Sequence, residues 1–171
     1  HAEDVLRYKA KGFKVNKEAV INLFRTVQNH PGVKMTSLSH IALSSVLDAP
    51  DVVEEISNIL GLGEKAPWTA AQTGIETGSP KLIKEHMAGK CKPFKPEDWP
   101  EVVADSFEIL SRNNWLPCGT LILGLPGETE KDVEFTIQLV EDLNSFKSLI
   151  VPLFLVSTGG LKNRSNSFML E

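Results

Sequence analysis

The sequence contains little cysteine, no metal-binding histidine pattern and no long apolar run. Its two cysteines, Cys91 and Cys118, are far apart and form no CxxC pair. The four histidines are scattered and form neither HxH nor HExxH, so no zinc site is indicated. The longest apolar stretch, 149–156, is interrupted by Pro152 and is far too short to span a bilayer.

Acidic residues slightly outnumber basic ones. The net charge of -4 argues against a general nucleic-acid or membrane-surface binder, because both need clustered lysine and arginine. The polar start, His1-Ala2-Glu3-Asp4, has no signal-peptide pattern, so we expect a cytoplasmic protein with reduced thiols. Because the sequence lacks an initiator methionine, we expect it to begin inside a longer protein.

The composition is that of a soluble globular domain. Hydrophobic residues make up 42% of the chain and charged residues 23%. No linker divides the sequence, which predicts one domain over residues 1–171. Its Gly-, Ser- and Asn-rich end, 157–171, is expected to fray.

Capping residues and apolar periodicity predict helices in alternation with strands. Helices are expected after Asn16, around Pro50, from Pro80, from Pro96 and after Thr129, where Asp132 resembles the partner in a capping box. Strands are expected over 33–46, 68–76, 117–125 and 148–156, although the periodicity of the first is ambiguous. The third and fourth are apolar nearly throughout, as in strands buried on both faces. The alternation predicts an α/β fold with a parallel sheet of βα units.

The segment after the second predicted strand, GIETGSP at 74–80, combines a carboxylate, two hydroxyls and a helix start. In parallel β/α folds, ligands bind beyond the carboxyl ends of the strands. Glu76 can accept hydrogen bonds from sugar hydroxyls or an amine, and the glycines let a ligand approach the backbone. The alternative is a strand-turn-helix with good caps and no ligand.

The segment of the next strand, LILGLPGET at 121–129, contains a glycine inside an apolar run. Gly124 weakens a strand and therefore needs a reason. Close approach of a flat ligand is one reason, and a packing constraint of a barrel is the other.

GIETGSP and LILGLPGET, in this order and with βα units around them, resemble strands four and five of radical S-adenosylmethionine enzymes. The branch they resemble most includes the methylthiotransferases and often carries a cobalamin-binding domain. The resemblance covers roughly Glu3 to Val156 and implies a partial TIM-like (β/α) barrel that begins near the end of strand two.

The resemblance also implies which residues would form the wall of the cofactor site. Glu76, with Thr77 and Ser79 beside it, matches the position that contacts the ribose or amino-acid part of S-adenosylmethionine. Strand five would pack near the adenine, with Glu128 closing its loop, and strand six would offer backbone groups to the adenine edge. Glu3 or Asp4 matches an acidic segment that holds the methionine amine, with an exposed charge as the alternative. The strand-five and strand-six residues so implied are Ile122, Gly124, Leu125, Val151 and Leu153.

The sequence departs from the family in lacking CxxxCxxC, whose three thiolates hold a [4Fe–4S] cluster. Cys91 and Cys118 cannot replace it and are interpreted as free structural thiols. Truncation of the parent chain or degeneration would explain the absence. Either way, we expect no catalytic residue, bound cofactor or metal in this piece alone. S-adenosylmethionine and the cluster would serve the intact parent, on an unidentified substrate. We also expect the piece to pair with itself through exposed strand edges, or to be marginally stable.

Two other functions remain open. One is a β/α-barrel enzyme with a phosphate at a helix N-terminus, above Ser79 or Thr129, although Lys81 is the only cation nearby. The other is a non-catalytic binding or scaffold module. His40 is a candidate substrate contact or, alternatively, a structural residue. Trp68, Trp99 and Trp115 are interpreted as core or packing residues.

Overall fold

The computed structural model describes residues 4–156, which alternate between helices and strands. Glu3 and the segment 157–171 lie outside these residues. The helices are α1 (Lys17–Gln28), α2 (Leu43–Asp48), α3 (Pro50–Leu60), α4 (Pro80–His86), α5 (Trp99–Arg112) and α6 (Glu130–Asp142). The strands are β1 (Thr69–Glu76), β2 (Trp115–Leu123) and β3 (Leu149–Phe154), with short 3-10 turns at Val5–Arg7, Pro96–Asp98 and Leu143–Ser145.

The three strands described in residues 4–156 form one open sheet. Its order is β1-β2-β3, and both strand pairs are parallel. The predicted α/β class with a parallel sheet is therefore confirmed.

The predicted caps are confirmed at three helices. The Asn16 side chain accepts a hydrogen bond from the Ala19 amide at the start of α1. Ser79 caps α4, and Thr129 with Asp132 forms the capping box of α6. These devices are local, so they follow directly from the order of residues.

The strand predicted over 33–46 is wrong for most of its length. Only His40 forms an isolated parallel bridge, to Gln72, through bonds from the Ile41 amide to Gln72 O (3.0 Å) and from the Gln72 amide to Ser39 O (2.9 Å). The chain then turns into α2, whose residues 43–46 are all buried. Packing explains the helix, because α2 lies against α5 and the buried Ser106 hydroxyl donates to Leu43 O.

One face of the sheet carries the core. Trp99, at the start of α5, donates its indole N–H to Ile75 O of β1. Gly119 of β2 lies on the same face, where an added Cβ would come within 2.6 Å of Ile75 Cδ1. Thr136 and Val140 of α6 face Leu121 of β2. Both α5 and α6 therefore cover the same side of the sheet.

The opposite side, called the open face here, is largely accessible to solvent. It consists of alternate residues of the three strands: Ala70, Gln72, Leu116, Cys118, Thr120, Ile122, Leu149, Val151 and Leu153. The prediction that β2 and β3 are buried on both faces is wrong, because the open-face residues of β2 are only partly buried, and Leu149 and Leu153 of β3 are 56% and 47% exposed. Apolar composition alone does not show whether the second face is covered.

The described tryptophans divide into two groups. Trp99 and Trp115 are buried, as predicted, and both indole N–H groups donate hydrogen bonds. Trp68 is 55% exposed, so its assignment to the core is wrong. It precedes β1 at the amino end of the strand, where side chains are less covered than along the core face.

Candidate functional site

A polar cleft of about 540 Å³ opens at the carboxyl end of β1. Its charged and hydrogen-bonding side chains come from five separate parts of the chain. We call it the carboxyl-end cleft, and its polar lining residues include Asp4, Arg7, His40, Gln72, Glu76, Lys90 and Thr120. Asp4 and Glu76 are acidic and Arg7 and Lys90 are basic, so the charges in the lining nearly balance.

Glu76 is held in an unusual conformation at the floor of this cleft. Its φ angle is 66°, in the left-handed region that non-glycine residues adopt at a cost. The strand register shifts at this point, between Gly74 and Glu76. Strained backbone of this kind clusters at functional sites, which makes Glu76 the foremost candidate in the cleft.

The carboxylate of Glu76 pairs with Lys90 from the loop after α4. Lys90 Nζ lies 3.0 Å from Glu76 Oε1, and both side chains are mostly buried. The pair lies across Gly74, where an added Cβ would overlap the carboxylate and lie 2.7 Å from Lys90 Nζ. A side chain at position 74 would therefore displace this ion pair, which occupies the place where a ligand would meet Glu76.

Arg7 fixes the opposite wall of the cleft. Its guanidinium donates to Ser45 Oγ (2.8 Å), Ser44 Oγ (2.9 Å) and Lys92 O (2.8 Å). The Ser44 hydroxyl in turn donates to Lys90 O at 2.8 Å. These bonds tether the 90–92 backbone, so the Lys90 side chain extends from a fixed point.

Asp4 lies beside Arg7. Its carboxylate accepts from the Leu6 amide (3.1 Å) and the Ser45 hydroxyl (2.5 Å), and lies 3.3 Å from Arg7 Nε. Burial raises the pKa of Asp4 above its ordinary value, opposed by the Ser45 hydroxyl, the Ala42 backbone and Arg7. Asp4 therefore lines the cleft, and its oxygens are already bonded to Leu6, Ser45 and Arg7.

The structure directs Thr77 and Ser79 into the protein rather than into the cleft. Both are fully buried. Thr77 shares a hydrogen bond with the Thr136 hydroxyl (3.1 Å), and the Ser79 hydroxyl donates to Asp132 Oδ1 at 2.6 Å. They join the loop after β1 to α6.

Asp132 is the centre of that connection. It also accepts from Lys81 Nζ at 2.7 Å and from both the amide and the hydroxyl of Thr129. Burial alone would raise the pKa of Asp132, but the bonds from Lys81, Ser79 and Thr129 outweigh it and hold the pKa well below its usual range. The Asp132 bond raises the pKa of Lys81 in return.

The second predicted segment forms the turn after β2. Gly124 has a φ of 83°, and its amide donates to Glu128 Oε2 at 2.7 Å. Leu125 is buried and Glu128 is partly buried. The carboxylate thus closes the loop on its own backbone, next to the exit of β1.

The remaining predicted residues lie on the open face. Ile122 is paired with Leu153, and Thr120 with Val151, so their side chains share that side of the sheet. Of the predicted residues, Asp4 and Glu76 line the carboxyl-end cleft, whereas Ile122, Gly124, Val151 and Leu153 belong to β2, its turn and β3, outside that lining.

Sequence reasoning did not identify Arg7, Gln72, Lys90 or Thr120 as cleft residues. Gln72 and Thr120 could have been found from strand alternation. Gln72 is four residues before Glu76, and its partner in β2, Cys118, is two residues before Thr120, so Gln72 and Thr120 lie on the same face of the sheet. Lys90 and Arg7 carry no local signal. Their contacts depend on how distant loops pack.

The cysteines in the described region do not form a cluster site. Cys91 is buried in the loop after α4, Cys118 lies in the middle of β2, and both are free. Burial raises the pKa of Cys91, which disfavours the thiolate that binds metals. Within residues 4–156, no group of three His, Cys, Asp or Glu side chains is placed to hold a metal ion.

No protein-family model matches the chain, and a search of curated proteins also found no match. Among the described residues, no helix is both long and apolar enough to cross a membrane.

Proposed function

We propose that this chain is part of a radical S-adenosylmethionine barrel and that its carboxyl-end cleft binds the nucleoside side of that molecule. The observation that carries the proposal is the position of Glu76. Its backbone is strained, and its carboxylate lies at the end of a parallel strand, next to the strand that the Gly124 turn follows. A ribose presents two hydroxyl donors, and a fixed carboxylate is a suitable acceptor for them.

Strand order supports a barrel rather than a doubly wound sheet. In doubly wound folds the order reverses and helices cover both faces. Here the order is sequential, and α5 and α6 cover one face. The bridge between His40 and Gln72 lies on the other edge of β1. The segment that precedes β1 in the chain therefore also lies next to it in the sheet, so the spatial order continues to follow the sequence order.

The open face supports the same proposal. All-parallel sheets are normally covered on both faces, since their side chains are apolar on both. In a barrel, the inner face is covered by the other strands. The half-buried Ile122 and Val151 would then line the interior next to the cleft.

The chain's own residues would bind and orient the ligand. Glu76 would accept from the ribose, the Gly124 turn would allow a flat ring to approach the backbone, and Ile122 would supply an apolar wall. S-adenosylmethionine supplies a radical when it is reduced by a cluster. Cys91 and Cys118 do not fit such a cluster, so its ligands would have to come from another part of the parent.

The phosphate alternative is less well supported. The helix start at Ser79 is already filled, because its hydroxyl and the Lys81 ammonium are both bonded to Asp132. An anion there would have to compete with a buried carboxylate. A non-catalytic role as a binding or scaffold module is compatible with the same cleft.

Calorimetric titration of the intact parent protein with S-adenosylmethionine tests the proposal, because we expect this piece alone to hold no cofactor. We expect Glu76→Gln to weaken binding at least about tenfold, since a charged acceptor is lost. Glu101→Gln, an exposed carboxylate on α5, should bind as the unchanged chain does. Equal affinities for the unchanged chain and Glu76→Gln would overturn the assignment.

The coding sequence upstream of His1 provides a second test. A CxxxCxxC motif about fifty or more residues before His1, within the span of the first barrel strands, supports a parent enzyme. An upstream sequence without these cysteines would favour the non-catalytic module.

A further inference from the structure

We propose that a groove at the amino end of β1 binds a small planar aromatic anion, such as an aromatic carboxylate, sulfonate or phosphate ester. This amino-end groove lies between the segment 34–38 and the turn 62–68, and it has a volume of about 760 Å³. The residues that define it are Lys34, Met35, Leu60, Leu62, Lys65 and Trp68. The volume is in the range of small-molecule sites.

The groove shares no lining residue with the carboxyl-end cleft, although the two approach each other along β1, where Ala70 lines the groove and Gln72 the cleft. Strand β1 begins beside the groove at Thr69 and ends in the cleft at Glu76. At about 3.3 Å per residue, roughly 23 Å separates the two ends of the strand. The proposal is therefore independent of the function proposed for the cleft.

The apolar surface of the groove suits a flat ring. Trp68 is 55% exposed and Met35 is 82% exposed, which is unusual for large apolar side chains. Leu60 is almost completely buried and Leu62 packs against the core, so they form a firm floor. An exposed indole offers a face for stacking, and a methionine can adapt to the shape of its neighbour.

The charge of the groove selects an anion. Lys34 and Lys65 line it, and no Asp or Glu does. In the region 4–156, neither lysine forms an ion pair, whereas Lys17, Lys81 and Lys90 all do. The groove therefore carries a local positive charge beside an exposed indole, although the net charge of the chain is -4.

The groove is also held in shape without a ligand. Gly61 and Gly63 have φ angles of 66° and 84°, and the Gly63 amide donates to Ala66 O at 2.7 Å, which fixes the turn that carries Lys65. On the other side, the Thr36 hydroxyl donates to Gln28 Oε1 at 3.0 Å and ties the segment to α1. A site that is already formed loses less entropy on binding.

Two dyes that share a ring system but differ in charge test the proposal. Anilinonaphthalene sulfonate is an anion, and phenylnaphthylamine is its neutral counterpart. We expect the anion to bind the whole chain more tightly than the neutral dye, with quenching of tryptophan emission.

Variants assign the binding to the groove. Because two cations are lost, the double variant Lys34→Gln/Lys65→Gln should weaken binding of the anion about tenfold and leave the neutral dye unchanged. The matched control is Lys131→Gln, since Lys131 Nζ lies 5.7 Å from the ring centroid of the exposed Phe135. Trp68→Ala should weaken both dyes. All these side chains are exposed, and thermal unfolding checks that each variant is folded.

Displacement distinguishes the two sources of such an anion. Release of the dye by naphthoate but not by adenosine monophosphate assigns an aromatic acid, and the reverse assigns a nucleotide. No binding of the anion, equal binding of both dyes, or an equal effect of Lys131→Gln and the double variant would each overturn the proposal.

Discussion

Lys90 and Glu76 form an ion pair across Gly74, with 3.0 Å between the ammonium nitrogen and the nearer carboxylate oxygen. The lysine is supplied by a loop whose backbone is bonded to Ser44 and Arg7. The acid that is best placed to bind a ligand is therefore already neutralised. A ligand that donates hydrogen bonds to Glu76 must compete with Lys90.

Removing that competition should strengthen ligand binding. We expect Lys90→Met to raise the affinity for S-adenosylmethionine severalfold, because the methionine keeps the apolar stem and loses the ammonium. It should also destabilise the fold by about 1–2 kcal/mol, since a partly buried carboxylate loses its partner. Lys84→Met is the control, because Lys84 pairs with Glu97 at 3.5 Å on the exposed surface. Titration calorimetry and urea unfolding measure both effects, and a lower affinity of Lys90→Met would mean that Lys90 itself contacts the ligand.

The backbone of Glu76 predicts an unusual order of stabilities. Glycine adopts a φ of 66° without strain, while other residues pay roughly 1–2 kcal/mol. Glu76→Gly should therefore be about 1 kcal/mol more stable than Glu76→Ala by urea unfolding. At Glu134, in the middle of α6, the order should reverse by about 1 kcal/mol, because glycine disfavours helix.

A close approach of backbones makes one glycine indispensable. A Cβ on Gly78 would collide with the carbonyl of Phe135 in α6, whose carbon would lie 2.8 Å away. Gly78→Ala should lower the free energy of unfolding by more than about 2 kcal/mol, because backbone cannot move aside as a side chain can. Gly89 has open space around it and no positive φ, so Gly89→Ala should change stability by less than about 1 kcal/mol. Similar values for the two variants in denaturant unfolding would show that α6 does not pack this closely.

Asp132 predicts how stability depends on pH. Its pKa is lower in the folded chain, so the carboxylate stabilises the fold above the unfolded pKa of about 4, and this contribution is lost as the pH falls below that value. Asp132→Asn should cost about 2–4 kcal/mol at pH 7 and flatten the loss of stability in acid. Asp142→Asn is the control, because Asp142 accepts a single exposed bond from Gln138. Unfolding curves between about pH 2 and pH 7 measure the slopes, and parallel slopes for Asp132→Asn and the unchanged chain would contradict the assignment.

Local chemistry explains which features the sequence could predict. Asn16, Ser79 and the Thr129-Asp132 box bond to groups within three residues, so the helix starts follow from the residue order alone. The parallel sheet followed from the alternation of elements, and Glu76 and Gly124 were found because both strands end in unusual turns.

Long-range packing explains what the sequence did not predict. The region 33–46 fits two periodicities, and only contact with α5 selects the helix at Leu43–Asp48. The hydroxyl of Ser79 is directed inward by Asp132, which is 53 residues away. Lys90 reaches Glu76 from a loop without any signal of its own.

The outer edge of β3 predicts how the chain associates with itself. The Leu155 amide bonds to Leu123 O, so alternate backbone groups face β2 and those of Pro152 face the unpaired edge. Proline has no N–H to offer a new strand, and prolines at edges prevent pairing. The exposed Leu153 and Phe154 remain available for apolar contact.

We therefore expect weak association through side chains. Phe154→Lys should reduce this association, and Pro152→Val should increase it, because valine restores a backbone N–H donor. Light scattering after size exclusion measures both, and a monomer in every variant at high concentration would show that this edge does not associate.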